Sequence, residues 1–426
     1  MRVLMISANT EQINMPVLPI GMARVAAAVQ LAGHEVQIVN LMDTSQVLEA
    51  LEKSVSSFVP DVVGISVRNI DDQHMQSPHF MLPPVQEVVQ KIRSLCQAPV
   101  ILGGPGYSIF PWAALEYLQA DFGLQGEGES AFCLLLQRLD QNRPCNDIPG
   151  LVSATGQHGP APERIRNLDL FPLPQPGKHL DIPEDIDRSE LWVPFQTRRG
   201  CPLNCSYCST PAIEGRIMRR QSISLVIENL ENYVAAGYKR FFLVDNIFNL
   251  PLSYTEALCE AIIKADLDIS WQCIFYPISI PQRLAEKMAR AGCAGVALGF
   301  ESGSPQVLKA MNKRFGPEDV RQCASALGQQ GISRAGFLLL GGPGETRETV
   351  QESFDFADSL QLDLMKITPG IRVYPWTELA RKAREIGMIP ADTNLLYPAF
   401  YLQPGLEGWL QAEVERMAEE KDNWYT

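Results

Sequence analysis

The chain has 426 residues, too many for one ordinary domain, so two or three are expected. A hydrophobic share of 46% supplies sizeable cores, and a net charge of -13 argues against an extended nucleic-acid-binding surface. The apolar run Met1 to Ile6, ended by Asn9 and Glu11, is too short for a secretory leader, and no stretch of about 18 apolar residues suggests a membrane span.

Residues 1–140 alternate strand and helix five times. Val3 to Ser7, Glu35 to Val39, Asp61 to Val67, Pro99 to Leu102 and Asp121 to Leu124 read as strands. Met22 to Leu31, Gln46 to Phe58, Val85 to Leu95, Trp112 to Leu118 and Ala131 to Leu139 read as helices. This order predicts a doubly wound, Rossmann-like parallel sheet covered on both faces. Ligands of such sheets sit at the carboxyl ends of the strands. Those ends carry Ser7 to Asn9, Arg68-Asn69, Gly103-Gly104-Pro105-Gly106 and Gly126-Glu127-Gly128. No G-x-G-x-x-G follows the first strand, which disfavours a dinucleotide. The long loop Asn69 to Pro84 reads as a cap over a cofactor or substrate.

Residues 141–190 are crowded with proline (144, 149, 160, 162, 172, 174, 176 and 183) and read as a linker, with His158 and His179 exposed in it. Residues 191–390 then repeat strand and helix six times. The strands are Trp192 to Thr197, Arg240 to Val244, Ile269 to Phe275, Gly295 to Phe300, Arg334 to Leu340 and Leu364 to Val373. Six units predict a partial (β/α)6 barrel of the TIM type, whose site lies on the loops after its strands. Residues 391–426 form a C-terminal segment with an amphipathic helix at Leu410 to Lys421.

The first barrel strand delivers Cys201-Pro202-Leu203-Asn204-Cys205-Ser206-Tyr207-Cys208. A close run of thiolates suits zinc or an iron–sulfur cluster. Zinc wants four ligands and none completes the set nearby, whereas three cysteines on a cubane leave one iron open. This CxxxCxxC loop resembles that of radical S-adenosylmethionine (SAM) enzymes. The later strand ends fit the same family: Asp245-Asn246, Glu301-Ser302-Gly303 and Gly341-Gly342-Pro343-Gly344-Glu345. The first 140 residues resemble the cobalamin-binding domain that precedes many such barrels, through Pro19-Ile20-Gly21, Gly33-His34-Glu35-Val36, Gly103-Gly104-Pro105 and Gly126-Glu127-Gly128-Glu129. The D-x-H-x-x-G motif that supplies a lower axial histidine to cobalt is absent, and His34 falls on the wrong side of the sheet.

The resemblance implies a cobalamin-dependent radical SAM enzyme. Cys201, Cys205 and Cys208 would hold a 4Fe-4S cluster, whose open iron is chelated by SAM. SAM would also meet Tyr207, Asp245, Asn246, Glu301, Ser302 and the turn Gly341 to Glu345, with Asp245 an alternative substrate contact. Cobalamin would meet Ser7, Arg68, Asn69, Gly103, Gly104, Pro105, Gly106, Gly126, Glu127 and Gly128, with Arg68 facing the lower side of the corrin. The implied reaction is removal of a hydrogen atom from an unactivated carbon by a 5′-deoxyadenosyl radical, then methyl transfer from methylcobalamin. Ring closure or rearrangement on the same cofactors, or a cobalamin-binding sensor or carrier with an idle barrel, are the alternatives. The implied partners are a small organic substrate and an electron donor such as flavodoxin or ferredoxin. Ten cysteines without a leader read as reduced thiols of a cytoplasmic protein. The other seven are scattered and read as core or surface residues, Cys273 on the third barrel strand being the one worth testing.

Overall fold

The computed structural model describes residues 1–10, 18–43, 46–180 and 187–426. Glu11 and Pro183, invoked above, lie outside them. The N-terminal unit runs through β1 (Arg2–Ser7), α1 (Ile20–Leu31), β2 (Glu35–Asn40), α2 (Val47–Phe58), β3 (Val62–Ser66), α3 (Leu82–Leu95) and β4 (Val100–Gly103). It continues with α4 (Pro105–Ile109), α5 (Pro111–Leu118), β5 (Phe122–Leu124), α6 (Gly128–Asp140) and β6 (Leu151–Ser153). The sheet order is β2-β1-β3-β4-β5-β6, parallel except for β6. Val3 and Met5 pack with Met22, Ala26 and Phe132 on one face, while Leu4 and Ile6 pack with Leu51, Val55 and Val89 on the other. Burial on both faces is why the strand reads as a continuous apolar run. The sixth strand comes from the stretch read as a linker; three residues are too few to show a period.

The second unit opens with β7 (Trp192–Phe195), then β8 (Arg198–Arg199), α7 (Thr210–Ile213) and β9 (Arg219–Arg220), β8 and β9 forming a short antiparallel ribbon. The remaining units are α8 (Ile223–Ala235), β10 (Arg240–Leu243), α9 (Leu252–Lys264), β11 (Ser270–Phe275), α10 (Gln282–Arg290) and β12 (Cys293–Glu301). After them come α11 (Pro305–Ala310), α12 (Pro317–Gly328), β13 (Ser333–Leu340), α13 (Arg347–Ser359) and β14 (Leu364–Pro369). β7, β10, β11, β12, β13 and β14 lie parallel in chain order. Their side chains alternate: Phe241, Trp271, Phe275, Leu298, Leu340 and Ile367 are buried in one core, and their neighbours are less buried.

The stretch read as one last strand breaks at Gly370, whose φ of +76° turns the chain. Beyond it β15 (Ile371–Arg372) leaves the sheet and, after α14 (Glu378–Glu385), pairs with β16 (Phe400–Tyr401). The expected C-terminal helix is α15 (Trp409–Glu420), and β17 (Trp424–Tyr425) adds a further parallel strand beside β14. Cys273 lies in the barrel core near Cys259 and Cys293, where burial pushes its thiol well above the usual range. Among the described residues no helix is long and apolar enough to cross a membrane.

Candidate active site

The cysteine loop is anchored before it begins. Asp245, fully buried after β10, accepts hydrogen bonds from the Thr197 N–H (2.7 Å), Thr197 Oγ1 (2.5 Å), the Arg198 N–H (3.0 Å) and Arg198 Nε (3.1 Å). Both carboxylate oxygens are taken up, so Asp245 holds the loop instead of reaching SAM or substrate. Gly200 follows at φ +84°, where a β-carbon would stand 2.2 Å from the Ile217 carbonyl oxygen. Its N–H donates to Glu214 at 2.8 Å, and Asn246 donates to the same carboxylate while accepting from Thr210 Oγ1 at 3.3 Å. The loop then crosses the barrel mouth: the Ser206 N–H donates to Met311 O (3.1 Å), and Ser206 O accepts from the Leu379 N–H (2.9 Å).

Cys201 is buried, and Cys205 and Cys208 are half-buried. Burial pushes the Cys201 thiol up to about 11, with lesser contributions from Cys208 and Cys205. A thiolate there is costly unless a metal takes over its charge. Among the described residues no group of three or more His, Cys, Asp or Glu side chains is gathered as a metal site. The donor set, three thiols on one loop, fits a polynuclear cluster better than zinc.

Beside Cys205 the structure joins two of the expected residues, Tyr207 and Glu301, to one that sequence reasoning missed, Lys313. Glu301 Oε1 accepts from Tyr207 Oη (2.8 Å) and Lys313 Nζ (3.0 Å), and Lys313 Nζ donates to Tyr207 Oη (2.9 Å). Burial pulls the Lys313 pKa down, but Glu301, Tyr207 and Cys205 outweigh it and hold the ammonium well above its usual value. Ser302 is buried and tied to Ser353 (2.9 Å), away from this group. In the Gly341 to Glu345 turn, Glu345 accepts from the Gly341 and Gly342 N–H groups. Burial raises its pKa to about 7. The Gly344 N–H donates to Gln403 (2.7 Å), so the C-terminal segment pins the turn.

A cavity of about 350 Å³ lies where the two units meet. The carboxyl ends of the N-terminal strands supply Ser7, Arg68, Gly103, Gly104, Pro105, Gly126, Glu127 and Gly128, and the barrel supplies Pro194, Gln196, Arg199, Glu214 and Val244. The strand-end loops therefore face each other. A β-carbon on Gly21 or Gly103 would meet no atom within 4 Å, so both glycines leave the cavity wide for a bulky group. Arg68 is half-buried, has no ion-pair partner among the described residues, and is lowered in pKa by that burial. None of the five histidines lines this cavity. These features fit a corrin held without an axial histidine.

Two expected contacts fall elsewhere. Asn69 lines a small neighbouring crevice with Asn9 and Val85. Gly106 lies under the Arg68 carbonyl, 2.9 Å from where its β-carbon would be, and lets α4 pack closely. The loop after Asn69 grips the barrel: Asp71 and Arg372 form a buried ion pair at 2.8 Å, and Met75 occupies the space beside Gly370. His179, expected to be exposed, is buried: its Nδ1 accepts from the Gln175 N–H (2.9 Å), its Nε2 donates to Gln30 Oε1 (2.9 Å), and burial lowers its pKa to about 4.

Comparison with known proteins agrees with this geometry. The model of the B12 binding domain matches residues 6–136, and that of the radical SAM superfamily matches residues 196–357. The chain thus carries a B12 binding domain followed by a radical SAM domain. It is 28% identical over 371 residues to an uncharacterized methyltransferase of Pyrococcus horikoshii, covering 84% of this chain and 78% of that protein. It is 24% identical to the tryptophan 2-C-methyltransferase of Streptomyces laurentii, covering 88% and 74%. In structure it is similar to the radical SAM methyltransferase TsrM of Kitasatospora setae with tryptophan and a SAM analog bound, with a TM-score of 0.86 at 23% identity over 98% of this chain and 88% of that one.

Proposed function

We propose that this chain is a cobalamin-dependent radical SAM methyltransferase that places a methyl group on an unactivated carbon of a small organic substrate. The observation that carries the reading is the opposition of the two sites: the cleft at the carboxyl ends of the N-terminal strands opens onto the barrel end that bears the cysteine loop. The methyltransferases among its relatives support it. When bound, the cofactors supply one-electron cleavage of SAM and a transferable methyl group.

The chain's own part is placement in a closed site. Cys201, Cys205 and Cys208 hold the cluster. Lys313 and Glu301, both beside Cys205, are suited to the carboxylate and amino groups of SAM, and the Gly341 to Glu345 turn to its adenosine. Arg68 and the glycine turns hold the corrin. We divide the chain at 1–140, 141–190, 191–390 and 391–426, with β6 the connector's return to the first sheet. Ten free cysteines suit a reducing cytoplasm, where a flavodoxin or ferredoxin is the natural electron donor.

Anaerobic reconstitution tests the reading. The protein is expected to retain cobalamin and, once reduced, to cleave SAM. With an accepted substrate it makes both S-adenosylhomocysteine and 5′-deoxyadenosine. Product formation with 5′-deoxyadenosine alone would move the assignment to ring closure or rearrangement. Neither nucleoside, with the cluster intact, would leave a cobalamin-binding protein without this chemistry.

A further inference from the structure

The buried charges at the seam of the two units, some of which line the cavity, also pair with one another across it. Glu127 and Glu129 flank Gly128 in the turn that lines the cavity, and Arg199 stands two residues ahead of Cys201. Arg199 Nη2 donates to Glu129 at 2.5 Å and Arg199 Nη1 lies 3.7 Å from Glu127. Arg219 lies 2.6 Å from Glu127 and donates to its other oxygen at 2.9 Å. Arg199 and Arg219 are register partners in the β8–β9 ribbon, so they project side by side. The connector is tied in as well, because Glu127 accepts from the Ile165 N–H (2.8 Å) and Arg219 donates to Ile165 O (2.8 Å).

Adhesion between the units does not require these ions. One apolar core takes in Leu18 and Ala23 from the first unit with the barrel residues, and another takes in Val307, Met311, Ile371 and Val373 from the second. Buried ion pairs add little to stability, since desolvation offsets the attraction. What a planar guanidinium on a carboxylate does fix is distance and orientation. Here the fixed path is short: the Gly126–Gly128 turn of the cavity, the Glu129–Arg199 pair, Gly200 on Glu214, then Cys201.

Resting on the function proposed above, we infer that the network of Glu127, Glu129, Arg199 and Arg219 is a positioning device that sets the separation of corrin and cluster, with Arg199 the link between them. Cob(II)alamin and the reduced cluster are both paramagnetic, and their dipolar coupling falls as the inverse cube of their separation. Holoprotein in that state, without substrate, gives the reference coupling by electron paramagnetic resonance. Arg199→Lys keeps the charge and loses the fork. With iron and cobalamin contents unchanged, it is expected to show a weaker and more widely distributed coupling, and Glu129→Gln is expected to do the same. Unchanged coupling in a loaded variant overturns the inference. So does unfolding of both variants, which would make the network a stability element. A wild-type protein that takes up no cobalamin or no cluster would overturn the proposed function instead.

Discussion

The two halves of the site are built by opposite means. At the cysteine loop, side chains do the work: three thiols fall within eight residues, and Asp245, Glu214 and Arg198 are committed to holding their backbone. At the corrin cavity the missing side chains matter more, with Gly21, Gly103 and Gly104 supplying width and tight turns and Arg68 left without a counter-ion among the described residues. A site made of ligands is lost with any one of them. A site made of shape degrades by degrees.

The sharpest way to break that contrast is at a ligand. Cys205→Ala removes one of three thiols from a half-buried position, so the fold should stand while SAM cleavage drops to background. Iron content and 5′-deoxyadenosine release check it, and a variant that kept both would remove the cluster from this loop. Next in size is a pH effect at Glu345. Its carboxyl is raised from 4.5 to about 7 by burial, which two backbone N–H donors only partly offset. Between those values the folded chain holds a proton that the unfolded chain has released, so stability falls as pH rises across the window, by about 3 kcal/mol at most. Glu345→Gln is expected to flatten that slope in melting curves taken from pH 5 to 7.5. An equal slope in both proteins would place the proton elsewhere.

At the cavity, Gly104→Ala tests the graded half. Gly104 sits at φ +99°, and a β-carbon would stand 2.6 Å from the Val67 carbonyl oxygen. The strain is roughly 1–3 kcal/mol. Bound cobalamin should fall to an intermediate content, measured by its absorbance, while iron stays constant. Complete loss of both together would mean that the two halves are not separable.

The same contrast explains what could be read from residue order. Cys201, Cys205 and Cys208 stand out in the sequence because three thiols share one short loop, and the glycine turns because each follows an apolar strand. Lys313 was not: it reaches Cys205 only because α11 turns the chain back after Glu301. Asp245 was placed correctly at a strand end, yet nothing in the order of residues says that the neighbouring strand's Thr197 and Arg198 claim both its oxygens. Asn69 and Gly106 each lie one residue past a lining residue, Arg68 and Pro105, and one step along a loop is enough to change which space a residue faces. Glu127 and Glu129 look like part of a cofactor turn in sequence, and only the second unit reveals that arginines hold them.

The smallest effect is a test of how local each half is. Thr346 caps α13: its Oγ1 accepts from the Thr349 N–H at 3.3 Å, and Thr349 Oγ1 accepts from the Thr346 N–H at 2.9 Å. The cap immediately follows Glu345, so its loss loosens the start of α13 without touching the hydrogen bonds of Glu345 to Gly341 and Gly342 or of Gly344 to Gln403. Thr346→Ala should therefore cost about 1 kcal/mol. Thr346→Ser, which keeps the acceptor, should restore most of it. If the turn is held by Glu345 and Gln403, as its hydrogen bonds indicate, SAM affinity measured by titration will be the same in all three proteins. A parallel loss of SAM affinity in Thr346→Ala would mean that α13 itself holds the turn, and that the SAM side of the site is as much a matter of backbone shape as the corrin side.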